Sequence, residues 1–126
     1  MSRTKSREQL FQSIYTLGFT TENKQAHDDM PHMQGETCEF ASKLYEYVTH
    51  NTAEIDREIE SRLKDFTIDR ISRVDLALLR LGVAEIKCMN TPTQVVGAAV
   101  TDLAKKYGTE KSPGFVNGVL GALKLN

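Results

Sequence analysis

The chain has 126 residues, 40% of them apolar and 26% charged, with a formal net charge of −1. That suits one compact domain or two closely packed halves, and it is too apolar for a disordered chain. No apolar stretch reaches the roughly 20 residues of a membrane span, and Met1-Ser2-Arg3-Thr4-Lys5-Ser6-Arg7 does not open a secretory signal.

Three prolines, eight glycines and 7% aromatics do not suit a strand-and-turn protein. From Arg7 onward, Leu10, Phe11, Ile14 and Leu17 recur at helical spacing, and Gly18 offers a stop. Residues 20–35 carry no period and read as a long connection. Phe40, Ala41, Leu44, Tyr45 and Val48 form a second stripe. Asn51 with Glu54 three residues on resembles a capping box, which predicts a fresh helix through Ile55, Ile59, Leu63 and Phe66. Ser72 and Asp75 repeat that signal before residues 76–86, apolar nearly all round, the pattern of a buried central helix. Asn90-Thr91-Pro92 breaks it. Val96, Val100, Leu103, Ala104 and Tyr107 make a fifth stripe, ended by Gly108. Ser112-Pro113 places a capping hydroxyl before proline and opens a sixth segment through Val116, Val119, Leu120 and Leu123. The class is all-α. The connection at 20–35 and the turn near Thr67-Ile68 divide the segments into two groups of three.

Charge is distributed unevenly along this pattern. Residues 1–20 sum to +2, residues 21–66 to −6 and residues 67–126 to +3. If the two basic ends meet in the fold, they offer phosphates a positive surface; otherwise they are solvated helix faces. The carboxylates Glu54, Asp56, Glu58 and Glu60 alternate with Arg57, Arg62 and Lys64, as on a solvated helix. His27, His32 and Cys38, with Asp28 and Asp29, match no zinc spacing, so no metal site is expected. Cys38 and Cys88 form no Cys-x-x-Cys and fit ordinary thiols in a reducing cytoplasm.

Asp69-Arg70-Ile71, then Val74-Asp75-Leu76-Ala77-Leu78-Leu79-Arg80-Leu81 with Glu85-Ile86, resembles the buried helix of the NusB family of transcription antitermination factors. Leu103-Ala104-Lys105-Lys106-Tyr107-Gly108, Ser112 and Phe115-Val116-Asn117-Gly118-Val119-Leu120 are similar to that family's closing signature. Arg7-Glu8 with Gln12 and Ile14-Tyr15 matches its first helix. The resemblance implies six or seven helices in two packed three-helix bundles, here residues 1–66 and 67–126 of one compact unit. It implies no enzymatic activity and no cofactor. Its implied partners are boxA-type RNA, the small-subunit ribosomal protein NusE and the RNA polymerase elongation complex, with self-association possible when the chain is alone. The domain also occurs ahead of an RNA methyltransferase, and no glycine-rich cofactor loop is found here.

By the same resemblance, RNA falls to Arg3, Lys5, Arg7 and Gln12 at one end and to Lys111, Ser112, Gly114 and Phe115 at the other. Cations along phosphates and a flat ring against a base are what single-stranded RNA requires. Phe115 either stacks on a base or belongs to the core with Val119 and Leu123. Tyr15, Asp75 and Arg80 match positions at or near the protein-partner interface. Arg80, on an apolar helix, must reach a carboxylate or the surface; Asp69 and Asp75 are the nearby acids in sequence. Tyr15 is otherwise a core aromatic with its hydroxyl at the rim. Three departures stand out. Gly97-Ala98-Ala99-Val100 replaces a polar pair, the N-terminal cations are spaced rather than consecutive, and Lys111 stands where many relatives have an acid. A protein adaptor or ribosome-assembly factor with weak RNA binding is the alternative reading.

Overall fold

The computed structural model describes residues 3–19, 36–63 and 67–122, with side chains for 5–16, 39–63 and 67–122. Its helices are α1 (Arg3–Phe19), α2 (Glu36–Glu60), α3 (Arg73–Met89), α4 (Thr93–Tyr107) and α5 (Ser112–Ala122). A short 3₁₀ turn, Ile68–Arg70, links α2 to α3. No strand occurs among the described residues. The connection at 20–35, Phe66 and Leu123 lie outside them.

The helix count differs from the sequence expectation at one place. Asn51 does not start a new helix; it marks a kink within α2, with φ −127° and ψ 24°. Its side-chain amide donates to Tyr47 O at 2.9 Å, and Thr52 Oγ1 donates to Val48 O at 2.6 Å. Both bonds run back to carbonyls of the preceding arm instead of forward to the next turn's N–H groups. The expected second and third helices are therefore two arms of one.

Helix α3 organises the rest, packing against α1, α2, α4 and α5. Ser72 caps it by accepting from Asp75 N–H at 3.2 Å, and Asn90, at φ 56°, ends it in the left-handed region that asparagine tolerates. Leu78, Leu79, Leu81, Val83 and Ala84 have no exposed surface. They share one core with Leu10 and Ile14 of α1, Leu44, Val48, Ile55 and Ile59 of α2, Val100 of α4 and Leu120 of α5. Each buried Leu, Ile or Val among them contributes about 1.5–3 kcal/mol on leaving water. The turn between α2 and α3 falls where the sequence divides into two groups, and the core runs across it.

The α4–α5 corner is tight. Gly108 N–H donates to Ala104 O at 2.8 Å with φ −96° and ψ −163°, so the glycine is not there for a left-handed turn. A Cβ at this position would lie 2.9 Å from Ala104 O and closer still to Ser112 Oγ. The glycine serves close approach.

Candidate nucleic-acid edge and its flanking groove

The end of α4 lies against the second turn of α1. The Glu8 carboxylate accepts hydrogen bonds from Lys106 Nζ and from the Tyr107 hydroxyl. Gln12 Nε2 donates to that hydroxyl at 3.1 Å. The Tyr107 ring packs tilted on Phe11 with centroids 5.0 Å apart, and the Lys106 ammonium lies 5.5 Å from the Tyr107 centroid. The hydrogen bonds from Lys106 and Tyr107 hold the Glu8 carboxyl below the usual carboxylate range, and Lys5 and Lys106 add favourable charge. The same carboxylate pushes the Lys106 ammonium above its ordinary value.

This junction sets the last turn of α4, which leads into the loop and helix start that carry Lys111 and Phe115, beside the α1 turn that carries Gln12. Lys5 and Gln12 of α1 are exposed, Lys111 follows Tyr107 by four residues and is exposed, and Gly114 is open. Phe115 is half-buried and packs on the edge of the core. The side chain of Arg3 lies outside the described residues.

Two members of the expected set are turned inward. Arg7 does not face solvent: its Nε and Nη2 each meet a Glu85 carboxylate oxygen at 2.7 Å. Its side chain is 9% exposed and that of Glu85 is 0% exposed. The guanidinium also lies 5.8 Å from the Phe40 centroid, so it joins α1 to α2 and α3. A cation so committed is not available to a phosphate. Ser112 is also buried, and its hydroxyl accepts from Thr109 N–H at 2.9 Å. It thus closes the loop behind it rather than capping α5 ahead, while Thr109 Oγ1 accepts from Lys111 N–H at 3.3 Å.

A groove of about 310 Å³ adjoins the edge, lined by Phe11, Gln12, Tyr15, Thr16, Val74 and Tyr107. Tyr15 is half-buried in it, its ring 6.2 Å from Phe11. Asp75 follows Val74, and its Oδ1 is shielded from solvent with no hydrogen-bond partner among the described residues. Arg80 finds an acid that the sequence did not single out. It pairs through Nε and Nη2 with Asp56 of α2 at 2.8 and 2.7 Å, both side chains partly buried. Asp69 is engaged by the Thr67 hydroxyl instead. Lys87 continues this α2–α3 seam, 3.4 Å from Glu58 and 3.9 Å from Glu54.

An open depression of about 570 Å³ on residues 50–61 is larger, yet it gathers none of the expected site residues. Among the described residues no His, Cys, Asp and Glu cluster could hold a metal, and no helix is long and apolar enough to cross a membrane. His27 and His32 lie outside the described residues, as does the side chain of Cys38. Sequence reasoning missed Lys106, Tyr107 and Glu8 as members of the edge. Lys105 and Lys106 are adjacent, and only the helix's rotation on α1 shows which of them meets Glu8.

The fold and this edge define a small helical binding domain whose lysines and aromatics converge beside an apolar groove. Comparison with known proteins makes the assignment specific. The NusB family profile matches residues 4–124, and the chain belongs to the NusB family. It is 40% identical over 122 residues to the transcription antitermination protein NusB of Listeria monocytogenes serotype 4a, covering 95% of this chain and 94% of that protein. It is 33% identical over 129 residues to the NusB of Clostridium novyi, covering 96% of each. The T. maritima NusB structure superposes with a TM-score of 0.90 at 26% identity, over 98% of this chain and 90% of that one. A crystal structure of antitermination factors NusB and NusE in complex with dsRNA gives a TM-score of 0.81 at 34% identity, over 98% and 97%.

Proposed function

We propose that this chain is a non-catalytic transcription antitermination factor. It holds boxA-type single-stranded RNA along the α1–α4–α5 edge and binds the ribosomal protein NusE through the flanking groove. In the cytoplasm it joins the elongating RNA polymerase complex during ribosomal RNA transcription. The observation that carries this reading is the meeting of the α1 turn bearing Gln12, with Lys5 exposed on the same helix, and Tyr107 at the end of α4, from which the chain runs on to Lys111 and Phe115. Lysines neutralise phosphates, Gln12 supplies an amide for a base edge or sugar, and Phe115 is the half-buried aromatic assigned to stacking on a base. Support for the partner comes from the apolar groove beside Tyr15. The relative that was crystallised with NusE and dsRNA belongs to the same family.

Fluorescence anisotropy with a labelled boxA-type RNA, with and without NusE, tests the proposal. Binding should tighten with NusE, and log affinity should fall with log salt by about 0.7 per phosphate contacted. An unlabelled duplex of the same sequence should compete less well than the single strand. Salt-independent binding, or none with NusE present, overturns the reading. The inward turn of Arg7 and Ser112 favours RNA binding that depends on the partner, which is the adaptor side of the same function. Sedimentation of the chain alone shows whether a second copy covers the groove in NusE's absence.

A further inference from the structure

We propose that Lys106 is a phosphate-binding residue of this edge and that Glu8 is its internal counter-ion, displaced when an RNA phosphate takes the ammonium. The inference rests on the RNA-binding reading above and adds to it a residue and an exchange.

Lys106 stands where the last turn of α4 meets the second turn of α1, beside residues that the reading above assigns to RNA. Its neighbour Tyr107 holds Gln12 through the hydroxyl, and the loop to Lys111 begins at the next residue. The Lys106 side chain is 61% exposed, whereas Glu8 is 24% exposed and is fixed from a second side by Tyr107. The acid is therefore the stationary partner, and the lysine, on its flexible stem, is the one able to swing. Lys5 lies within electrostatic reach of the same carboxylate, so a phosphate arriving here meets two lysines around a single acid. In the free protein Glu8 cancels one of those charges and keeps Lys106 positioned. When a phosphate binds Lys106, Glu8 retains its bond from Tyr107 and the charge of Lys5. The exchange costs little, because an exposed ion pair is weak and the phosphate replaces the carboxylate as acceptor.

The experiment measures anisotropy of a labelled boxA-type RNA with the full chain and NusE, across a salt series, for wild type, Lys106→Gln, Lys106→Arg, Glu8→Gln and the double variant Glu8→Gln/Lys106→Gln. Lys106→Gln should weaken binding and reduce the magnitude of the log–log salt slope by about 0.7, and Lys106→Arg should restore both. Glu8→Gln should tighten binding about two- to five-fold, the release of one exposed ion pair. Most of that gain should vanish in the Lys106→Gln background. Thermal unfolding of each variant confirms that it is folded before its affinity is compared. An unchanged slope in Lys106→Gln overturns the proposal while leaving the RNA-binding function standing. A Glu8→Gln gain of the same size with or without Lys106 also overturns it, since that describes general repulsion. Failure of wild type to bind the RNA overturns both readings.

Discussion

The buried pair between Arg7 and Glu85 makes the strongest quantitative prediction. Two parallel bonds of 2.7 Å join side chains that are 9% and 0% exposed. Replacing Arg7 by Met keeps the aliphatic stem but leaves the Glu85 carboxylate facing no cation inside the protein. Breaking a buried pair from one side costs about 3–5 kcal/mol. With an unfolding entropy of about 2.1 cal/mol/K per residue, that corresponds to a fall in Tm of roughly 10–20 °C for a chain of 126 residues. Replacing both members, Arg7→Met with Glu85→Met, removes the uncompensated charge and should recover stability to within about 1 kcal/mol of wild type. Urea unfolding of the three variants gives these values directly. The double variant also separates structure from RNA contact: folded, it should bind boxA-type RNA with the wild-type salt slope. A single variant that loses less than about 1 kcal/mol, the value of an exposed pair, would refute the burial argument. A double variant whose slope falls by about 0.7 would show that Arg7 touches phosphate after all.

Gly108→Ala should destabilise by about 1–3 kcal/mol, because its Cβ would press on the Ala104 carbonyl and on Ser112; it should weaken RNA binding through the displaced loop, and denaturation with anisotropy reads both effects. Phe115→Ala should weaken RNA binding by about 1–3 kcal/mol and reduce discrimination between RNA sequences, whereas Lys111→Ala should weaken all RNAs alike. Equal losses on every sequence for both variants would remove the stacking role. The Glu8–Lys106 contact carries a pH signature. Glu8 is held below its ordinary range, so its contribution is present above that range and is lost as pH falls through the lowered value. Lys106 is raised, so its share is present below its ordinary value and is lost as pH rises through the raised one. The stability difference between wild type and Glu8→Gln should therefore be largest near neutrality and shrink in acid; a difference that grows in acid would contradict the pairing.

The all-α class and the central helix were legible in the sequence. Apolar residues at helical spacing and a segment apolar nearly all round, as at 76–86, leave few other ways to hide that surface from water. The cap at Ser72 and the break at Asn90-Thr91-Pro92 were legible for a local reason: each acts within a few residues of itself. Asn51 shows where local reading stops, since the same side chain can bond forward as a cap or backward across a kink. The family signature made membership of the NusB family legible from its motifs alone. What the sequence did not contain was the partner of each charge. Arg7 reads like Lys5 until α3 places Glu85 78 residues away against it, and Arg80 meets Asp56 of α2 rather than the acids nearest in sequence. Lys106 joined the edge only because α4 packs its last turn on α1. Hydrophobic spacing is a property of one helix, whereas the fate of a charge depends on which helix lies opposite and on how much water the packing leaves between them. That was decided by the tertiary structure alone.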